Sequence, residues 1–172
     1  MRVSNGEKET LAEERPRVAI LMGSRNDWEI MQAAQKALDQ LGVASEARVI
    51  SAHRTPERLT RFIAGAEESG IEVLICGAGH AAHLAGVTAA QTTLPVLGVP
   101  IGSSDLQGLD ALLATVQMPG GIPVATFAIG KSGAKNAGLF AGAILAGRDP
   151  EVRKRLEEFR AAQAEAVPDA PL

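Results

Sequence analysis

The stretch Ile71-Glu72-Val73-Leu74-Ile75-Cys76-Gly77-Ala78-Gly79 decides the fold class of this 172-residue chain. Its first six residues are apolar except for one glutamate, and glycines follow them directly. A short, almost continuous apolar run that ends at glycine is typical of a strand covered on both faces. Residues 124–129 form a second run of this kind. Strands covered on both faces belong to parallel sheets, so these two runs predict an α/β protein.

The same pattern repeats five times between residues 17 and 147, as an apolar run, a turn and a helical stretch. The second helix has clear boundary signals, because Thr55 and Pro56 suit its start and Gly70 suits its end. We predict a doubly wound parallel sheet of about five strands in a three-layer arrangement, with an extra C-terminal helix. The predicted strands are residues 17–22, 46–50, 71–76, 95–99 and 124–129, and the predicted helices are residues 27–41, 56–69, 80–91, 105–116, 133–146 and 150–164.

Length and composition predict one domain, over residues 17–164, between two irregular ends. Residues 1–16 are polar and contain no apolar segment of the kind found in signal peptides, which predicts a flexible leader. Residues 165–172 form a proline-containing tail. Every apolar run is interrupted well before the roughly 18 residues that a membrane span needs. The expectation is therefore a cytoplasmic protein that does not bind membranes.

The charge balance and the cysteine count exclude several classes of site. The net charge is −3 at pH 7, whereas a nucleic-acid groove needs clustered Lys and Arg, so we expect no nucleic-acid partner. Cys76 is the single cysteine, which excludes a disulfide framework and a cysteine-built zinc site. We expect it to behave as a small buried apolar residue.

Small residues dominate the composition, with 30 alanines and 18 glycines against four Phe and one Trp. A core of this kind depends on close approach between backbones. Residues 62–147 contain only two cations, Lys131 and Lys135, and five anions. A small domain exposes a large share of its surface, and seven charges are too few to cover it. We therefore predict that part of this surface is buried between subunits of a homo-oligomer.

Three turns after predicted strands contain the polar residues that suit a ligand site. Ligands bind to doubly wound sheets at the carboxyl ends of the strands, where the strand order reverses. The three turns are Gly23-Ser24-Arg25-Asn26-Asp27, Ser51-Ala52-His53-Arg54-Thr55-Pro56 and Gly77-Ala78-Gly79-His80-Ala81-Ala82-His83. All three histidines of the chain lie in the second and third turns. The first turn combines a glycine, a hydroxyl and free N–H groups at a helix start, which suits an anion such as phosphate.

Each of these signals also has a plainer interpretation. Ser24 and Asp27 suit the N-terminal cap of a helix as well as they suit a ribose phosphate. His53 beside Arg54, at the end of a strand, favours proton transfer next to an anion site over a surface pair.

Two ligand interpretations of the third turn are disfavoured. The glycine pattern from Gly77 to Ala82 fits a dinucleotide fingerprint, but it follows the third strand and lacks the acidic residue about 20 positions later. His80 and His83 have a spacing that can hold a metal on a helix, but no third ligand is near them in sequence. A tight turn with close helix packing is the favoured interpretation.

Several motifs together make the sequence resemble a known family, the class I N5-carboxyaminoimidazole ribonucleotide mutases of purine biosynthesis. The resemblance covers residues 17 to about 164. The matching stretches are Met22-Gly23-Ser24 with Asp27-Trp28, Ser51-Ala52-His53-Arg54-Thr55-Pro56, Gly77-Ala78-Gly79, Ala81-Ala82-His83-Leu84, Leu94-Pro95-Val96-Leu97-Gly98-Val99-Pro100, Val116-Gln117-Met118-Pro119, Gly121-Ile122-Pro123-Val124 and Gly133-Ala134 with Asn136-Ala137.

The resemblance implies a flavodoxin-like subunit in a homo-octamer, and an enzyme that uses neither a metal nor an organic cofactor. The implied reaction moves a carboxylate from the exocyclic amine of aminoimidazole ribonucleotide to carbon 4 of the ring. The family also implies a functional connection to the ATP-dependent carboxyaminoimidazole ribonucleotide synthetase that supplies the substrate.

By position, the resemblance implies that His53 is the catalytic acid and base. Ser24, Asp27 and Arg54 correspond to the residues that bind the ribonucleotide, with Ser51 in the same site. The turn that contains Gly77, Ala78 and Gly79, together with His83, would border the ring and the carbon dioxide that is released and recaptured.

Three residues depart from the family pattern. Asn26 replaces a common Ser, Ala85 replaces a common Pro, and His80 stands where Gly is common, so we expect the backbone at His80 to avoid conformations restricted to glycine. Two other functions remain open from the sequence: an animal-type aminoimidazole ribonucleotide carboxylase that uses carbon dioxide directly, and a flavodoxin-like module that binds a nucleotide without catalysis. The segment from Ala81 to Leu84 resembles the mutases and weighs against the carboxylase.

Overall fold

The structure is a computed structural model that describes residues 15–169, and it contains a five-stranded parallel sheet. The strand order is β2-β1-β3-β4-β5, so the direction of winding reverses between β1 and β3. The predicted doubly wound α/β fold is confirmed. The strands are β1 (Val18–Met22), β2 (Ser45–Val49), β3 (Val73–Gly79), β4 (Val96–Ile101) and β5 (Ala125–Thr126).

Helices cover both faces of the sheet. One face packs against α1 (Trp28–Gln40), α5 (Lys131–Leu145) and α6 (Pro150–Glu165), and the other against α2 (Pro56–Ala66), α3 (Leu84–Ala89) and α4 (Leu109–Val116). Helix α6 is the predicted additional C-terminal helix. Within residues 15–169, none of the helices is long and apolar enough to cross a membrane. Residues 1–14 of the predicted leader and residues 170–172 of the predicted tail lie outside the described residues.

Alternate residues of the central strand β1 supply the two cores. Val18, Ile20 and Met22 point to the α1 and α5 side, and Ala19 and Leu21 point to the α2 and α3 side. All five side chains are at most 2% exposed. This alternation is the period of a strand, and burial on both sides explains why β1 contains no polar residue.

The contact between α1 and α5 depends on small residues, as the composition predicts. A methyl group added at Gly138 of α5 would lie 2.5 Å from the carbonyl oxygen of Ala34 and 3.0 Å from Cβ of Ala37. Both distances are too short for carbon, so the two helices pack at this separation because residue 138 has no side chain.

Several element boundaries differ from the prediction. β3 continues through Gly79 because it hydrogen-bonds both neighbours, with Gly77 opposite Met22 and Val99, and Gly79 opposite Ile101. β5 is only two residues long because it lies at an edge and pairs only with β4. α3 begins at Leu84 and α4 at Leu109, so both helices are shorter than predicted.

Ion pairs connect elements at the amino end of the sheet. Nε of Arg17 lies 2.6 Å from Oε1 of Glu72, and its Nη1 lies 2.6 Å from Oδ2 of Asp149. Arg148 also pairs with Glu72. The hydrogen bond from Arg17, with backbone N–H groups of α6, lowers the pKa of Asp149. These contacts attach the start of β1 to the start of α6.

Candidate active site

A cavity of about 450 Å³ opens at the carboxyl ends of the strands, where the sheet reverses direction. This is the place where doubly wound folds bind ligands. Its lining residues come from the end of β3, from the first residue of α3 and from the turns after the first four strands: Gly23, Ser24, Asn26, Asp27, Ser51, Ala52, His53, Arg54, Ala78, Gly79, His80, Ala81, His83, Leu84 and Ser103.

The first turn holds a buried carboxylate next to a hydroxyl. Ser24 caps a short 3-10 helix (Arg25–Asp27), and Oδ2 of Asp27 accepts a hydrogen bond of 2.9 Å from the backbone N–H of Ser24. The backbone N–H of Asn26 donates to the Ser24 hydroxyl. Ser24 and Asp27 therefore form a cap and also line the cavity, while their binding of a ribose phosphate stays a prediction.

Asp27 is 8% exposed, and its surroundings act on its ionisation in opposite directions. Burial is the largest effect and raises the pKa of this carboxyl. The hydrogen bond from Ser24 and the charges of His80 and Arg54 lower it, although by less in total. The ionised form of Asp27 therefore costs free energy in the folded state, because nearby groups do not fully offset its burial. Shifted pKa values of this kind are common in functional sites.

The second turn fixes Arg54 through a small hydrogen-bonded loop. The Thr55 hydroxyl donates to the carbonyl of Ser51 and accepts from its backbone N–H, at 2.9 and 3.0 Å. Nη2 of Arg54 donates to the carbonyl of Gly23 at 2.9 Å, and Nε donates to the Ser51 hydroxyl at 3.4 Å. Within residues 15–169 no carboxylate lies within ion-pair distance of Arg54. Its charge is thus available to an anionic ligand.

The second and third turns bring two histidines into direct contact. Nε2 of His53 lies 2.8 Å from Nδ1 of His83, and the two rings meet edge to face with centroids 4.9 Å apart. Thirty residues separate these positions in sequence, and β3 runs between them. Two imidazoles at this distance share one hydrogen bond, so the tautomer of each depends on the other.

The third turn is shorter than the sequence predicts. Gly77, Ala78 and Gly79 are the last residues of β3, and the turn proper contains the four residues that follow. Ala78 and Gly79 line the cavity, but Gly77 does not. A methyl group at Gly77 would collide with the side chain of Met31 in α1, so its role is to let the sheet and this helix approach.

His80 adopts a backbone conformation that glycine favours, with φ of +54°. The expectation that its backbone avoids such a conformation is therefore wrong. His80 and His83 do not share the start of a helix, because α3 begins after them. Nδ1 of His80 lies 3.1 Å from the Ser103 hydroxyl in the turn after β4. Among the described residues, no group of three or more potential metal ligands is gathered in one place.

The remaining predicted site residues all reach this cavity: Ser24, Asp27, Ser51, His53, Arg54, Ala78, Gly79 and His83. Sequence reasoning missed Ser103 as a lining residue. A signal for it existed, because Gly102-Ser103-Ser104 directly follows an apolar run that ends at Ile101. The predicted strand ended two residues too early for this turn to be considered.

The chain matches the family model of AIR carboxylase over residues 17–166. Proteins named N5-carboxyaminoimidazole ribonucleotide mutase are similar along almost their whole length. The one from Brucella melitensis is 54% identical, and the match covers 90% of this chain and 95% of that protein. The one from Bacillus subtilis is 55% identical over 84% of this chain and 90% of its own length. The one from Escherichia coli K12 is 53% identical, with 90% and 92% covered.

Solved structures are similar as well. The crystal structure of Treponema denticola PurE superposes with a TM-score of 0.77 at 27% sequence identity, and the match covers 88% of this chain and 93% of that one. The family model spans most of the chain, and relatives above 50% identity share the same name. This chain therefore belongs to the AIR carboxylase family.

Proposed function

We propose that this protein is an isomerase, a mutase that converts N5-carboxyaminoimidazole ribonucleotide to 4-carboxy-5-aminoimidazole ribonucleotide in purine biosynthesis. Relatives that are 52–55% identical carry the name of this activity. The observation that carries the proposal in the structure is the contact between His53 and His83. The same cavity contains a buried carboxylate and an arginine that has no ion-pair partner in the described part of the chain.

His53 is the proposed general acid and base. As the carbamate N–C bond breaks and carbon dioxide leaves, the imidazolium donates a proton to the exocyclic nitrogen. Carbon 4 of the ring then attacks the carbon dioxide, and the neutral imidazole removes the proton from carbon 4. The proton returns to His53, so the cycle balances without a net change. Histidine suits both steps because it changes charge near neutral pH.

His83 is proposed to set the tautomer of His53 and to border the reacting ring. The 2.8 Å hydrogen bond has room for one proton between the two nitrogens. Which ring holds that proton determines whether His53 is ready to donate or to accept. The small residues Ala78 and Gly79 leave space beside this pair, which suits carbon dioxide, a molecule that has no charge to bind.

Arg54 and the first turn, which it contacts at Gly23, are proposed to bind the ribonucleotide. Arg54 has no carboxylate partner within the described residues and offers a planar pair of donors, which matches a phosphate. Among residues 15–169, Asp27 accepts a side-chain hydrogen bond from the Ser24 N–H alone, so its carboxylate can also accept hydrogen bonds from a ribose diol. Ser24 and Ser51 line the same cavity, and the Ser51 hydroxyl lies 3.4 Å from Nε of Arg54.

Incubation with the carbamate substrate tests the proposal directly. We expect the ring-carboxylated product to form from N5-carboxyaminoimidazole ribonucleotide at nearly the same rate with and without added bicarbonate. Little label from labelled bicarbonate should enter the product, because a closed site recaptures carbon dioxide before it escapes. Efficient carboxylation of aminoimidazole ribonucleotide at low bicarbonate, with the carbamate ignored, would show the animal-type carboxylase instead. Binding of the ribonucleotide without any turnover would show a module without catalysis.

A homo-octamer is the proposed assembly, and exposed apolar side chains support it. Three of them, Leu109, Leu113 and Val116, lie on α4, and Leu106 lies just before this helix. Each of the four side chains is 47–62% exposed. Val87 of α3 and Phe140 of α5 are also exposed. The helices after β3 and β5, which are α3 and α5, are the proposed interfaces, and α4 adds a third. Light scattering in dilute buffer tests the assembly, and a 17.9 kDa monomer would contradict it.

The cytoplasm is the proposed location, because a phosphorylated intermediate is retained and consumed there. Functional coupling to the ATP-dependent carboxyaminoimidazole ribonucleotide synthetase is part of the same proposal, since that enzyme makes the carbamate. The coupled assay is direct: the synthetase and this protein together should convert aminoimidazole ribonucleotide, ATP and bicarbonate to the ring-carboxylated product faster than either protein does alone.

A further inference from the structure

His80 and Ser103 form a pair in the cavity that the proposed mechanism does not use. His80 follows β3 and Ser103 follows β4, and their side chains meet at 3.1 Å between Nδ1 and the hydroxyl oxygen. Both residues line the same cavity as the two other histidines. The cavity therefore contains a third imidazole, and a serine hydroxyl contacts its Nδ1 atom.

The local backbone is built to bring these two residues together. A Cβ atom at Gly79 would collide with the Ser103 hydroxyl, so the absence of a side chain at Gly79 lets Ser103 approach. His80 then takes a φ of +54°, in the left-handed region that few residues other than glycine adopt. Residues held in such conformations collect at binding sites.

Nε2 of His80 is available to a ligand. No side chain or carbonyl within residues 15–169 hydrogen-bonds this nitrogen. When the Ser103 hydroxyl donates to Nδ1, the ring proton lies on Nε2, and Nε2 becomes a donor. The charge of His80 lowers the pKa of Asp27 and of Asp110 in α4, so His80 is close to the carboxylate proposed to bind the ribose.

We propose that His80 contacts the ligand, with Nε2 donating a hydrogen bond to an anionic oxygen of the ribonucleotide, and that Ser103 is the positioning residue that orients the ring. This inference rests on the proposed function for the class of ligand. The shared chemistry is an anionic oxygen, and the ligand offers two sources of it: the phosphate and the carboxylate on the imidazole ring.

The test compares three ligands by titration calorimetry. Aminoimidazole ribonucleotide has the phosphate alone, its 4-carboxylated form has both groups, and the 4-carboxylated nucleoside has the carboxylate alone. In His80→Gly we expect about a tenfold loss of affinity for the two ligands that carry the contacted group, and no change for the third, since a hydrogen bond to a charged group commonly contributes that much. The unaffected ligand identifies the source.

Gln107→Gly is the matched control. Gln107 also has a positive φ, of +51°, but lies outside the cavity lining, so its replacement relieves the same kind of backbone conformation without removing an imidazole. We expect this variant to bind all three ligands like the parent. Thermal unfolding of both variants separates a binding loss from a folding loss, and glycine at a positive φ should not lower the melting temperature.

Ser103→Ala and Ser103→Thr test the positioning role. The alanine variant should lose part of the same affinity, for the same ligands, and the threonine variant should restore it because it keeps the hydroxyl. Wild-type affinity of His80→Gly for all three ligands would overturn the inference, and so would an equal loss for all three. If the parent turns over the carbamate in either case, the proposed function survives. A parent that binds none of the three ligands contradicts both proposals.

Discussion

The two ends of the sheet use the same residue types in opposite ways. At the amino end, Arg17 is held by two carboxylates, from Glu72 and Asp149, each at 2.6 Å. At the carboxyl end, Arg54 donates only to a carbonyl and a hydroxyl, and Asp27 is buried without a basic group within ion-pair distance in the described part of the chain. Charges that neutralise each other stabilise the fold, while charges left unpaired are free for a ligand.

The largest expected effect is on catalysis at the carboxyl end. His53→Asn should lower kcat by about two to four orders of magnitude, because asparagine fills a similar volume but transfers no proton at neutral pH. Affinity for the ring-carboxylated product, measured by calorimetry, should change little, since other side chains are proposed to bind the ribonucleotide. Retention of more than a tenth of the parent activity would remove His53 from the catalytic role.

Arg54→Lys should weaken binding of the same product by about tenfold, because one ammonium does not replace the planar donors of a guanidinium. Arg48→Lys is the matched control, since Arg48 is 54% exposed and pairs with Glu46 on the edge strand β2. The control should bind like the parent. If both variants bind product with parental affinity, the phosphate lies elsewhere in the cavity.

Asp149→Asn should lower the melting temperature by a few degrees at about pH 7 and leave activity unchanged. Asparagine still caps a helix, so the substitution removes the charge from the Arg17 contact and little else. The pKa of Asp149 is lowered in the folded state, so its contribution to stability is present above the ordinary value of 3.8 and is lost as the pH falls below it. Melting curves of the two proteins should therefore converge in acid. A constant difference across the pH range would mean that the charge is not the cause.

Asp27→Asn should give the smallest shift, and in the opposite direction. Burial raises the pKa of Asp27, so the ionised carboxylate destabilises the folded state, and this penalty is absent below the ordinary value of 3.8 and grows as the pH rises. The melting temperature of the asparagine variant should be slightly higher than that of the parent at about pH 7 and equal to it in acid.

The same variant should also bind the ribonucleotide more weakly, because an amide accepts the ribose hydroxyls less strongly than a carboxylate does. Calorimetry with the ring-carboxylated product measures this. A variant that is less stable than the parent at neutral pH would show that the Ser24 hydrogen bond outweighs burial at this position.

Most of the fold was predictable because apolar runs and glycines signal elements locally. The apolar run at residues 71–76 leads into β3 and forms its first part. Pro56 begins α2, as the sequence predicts. The errors occurred where pairing decides the boundary. Glycine at positions 77 and 79 suggests a turn, but Gly77 pairs with β1 and β4 and Gly79 pairs with β4, so both stay in β3. No local pattern encodes those partners.

The candidate site was predictable to a similar extent. Polar residues after strands are conspicuous in an apolar sequence, so Ser24, His53 and Arg54 were found, whereas Ser103 was missed because the end of β4 was placed too early. Gly77 was assigned to the site by its neighbours, yet it serves the contact with Met31. Identity of residue type does not separate a glycine that faces a ligand from one that lets a helix approach.

The sequence by itself determined the layered α/β fold, the family and the side chains available for chemistry, because strand burial, turn residues and motifs are properties of neighbouring positions. Only the tertiary structure decided which of these side chains meet. The 2.8 Å contact between His53 and His83, and the pairing of His80 with Ser103, join turns that follow different strands. Their geometry is set by the strand order and by the close packing of glycine and alanine between helices and sheet, which are interactions between residues far apart in the chain.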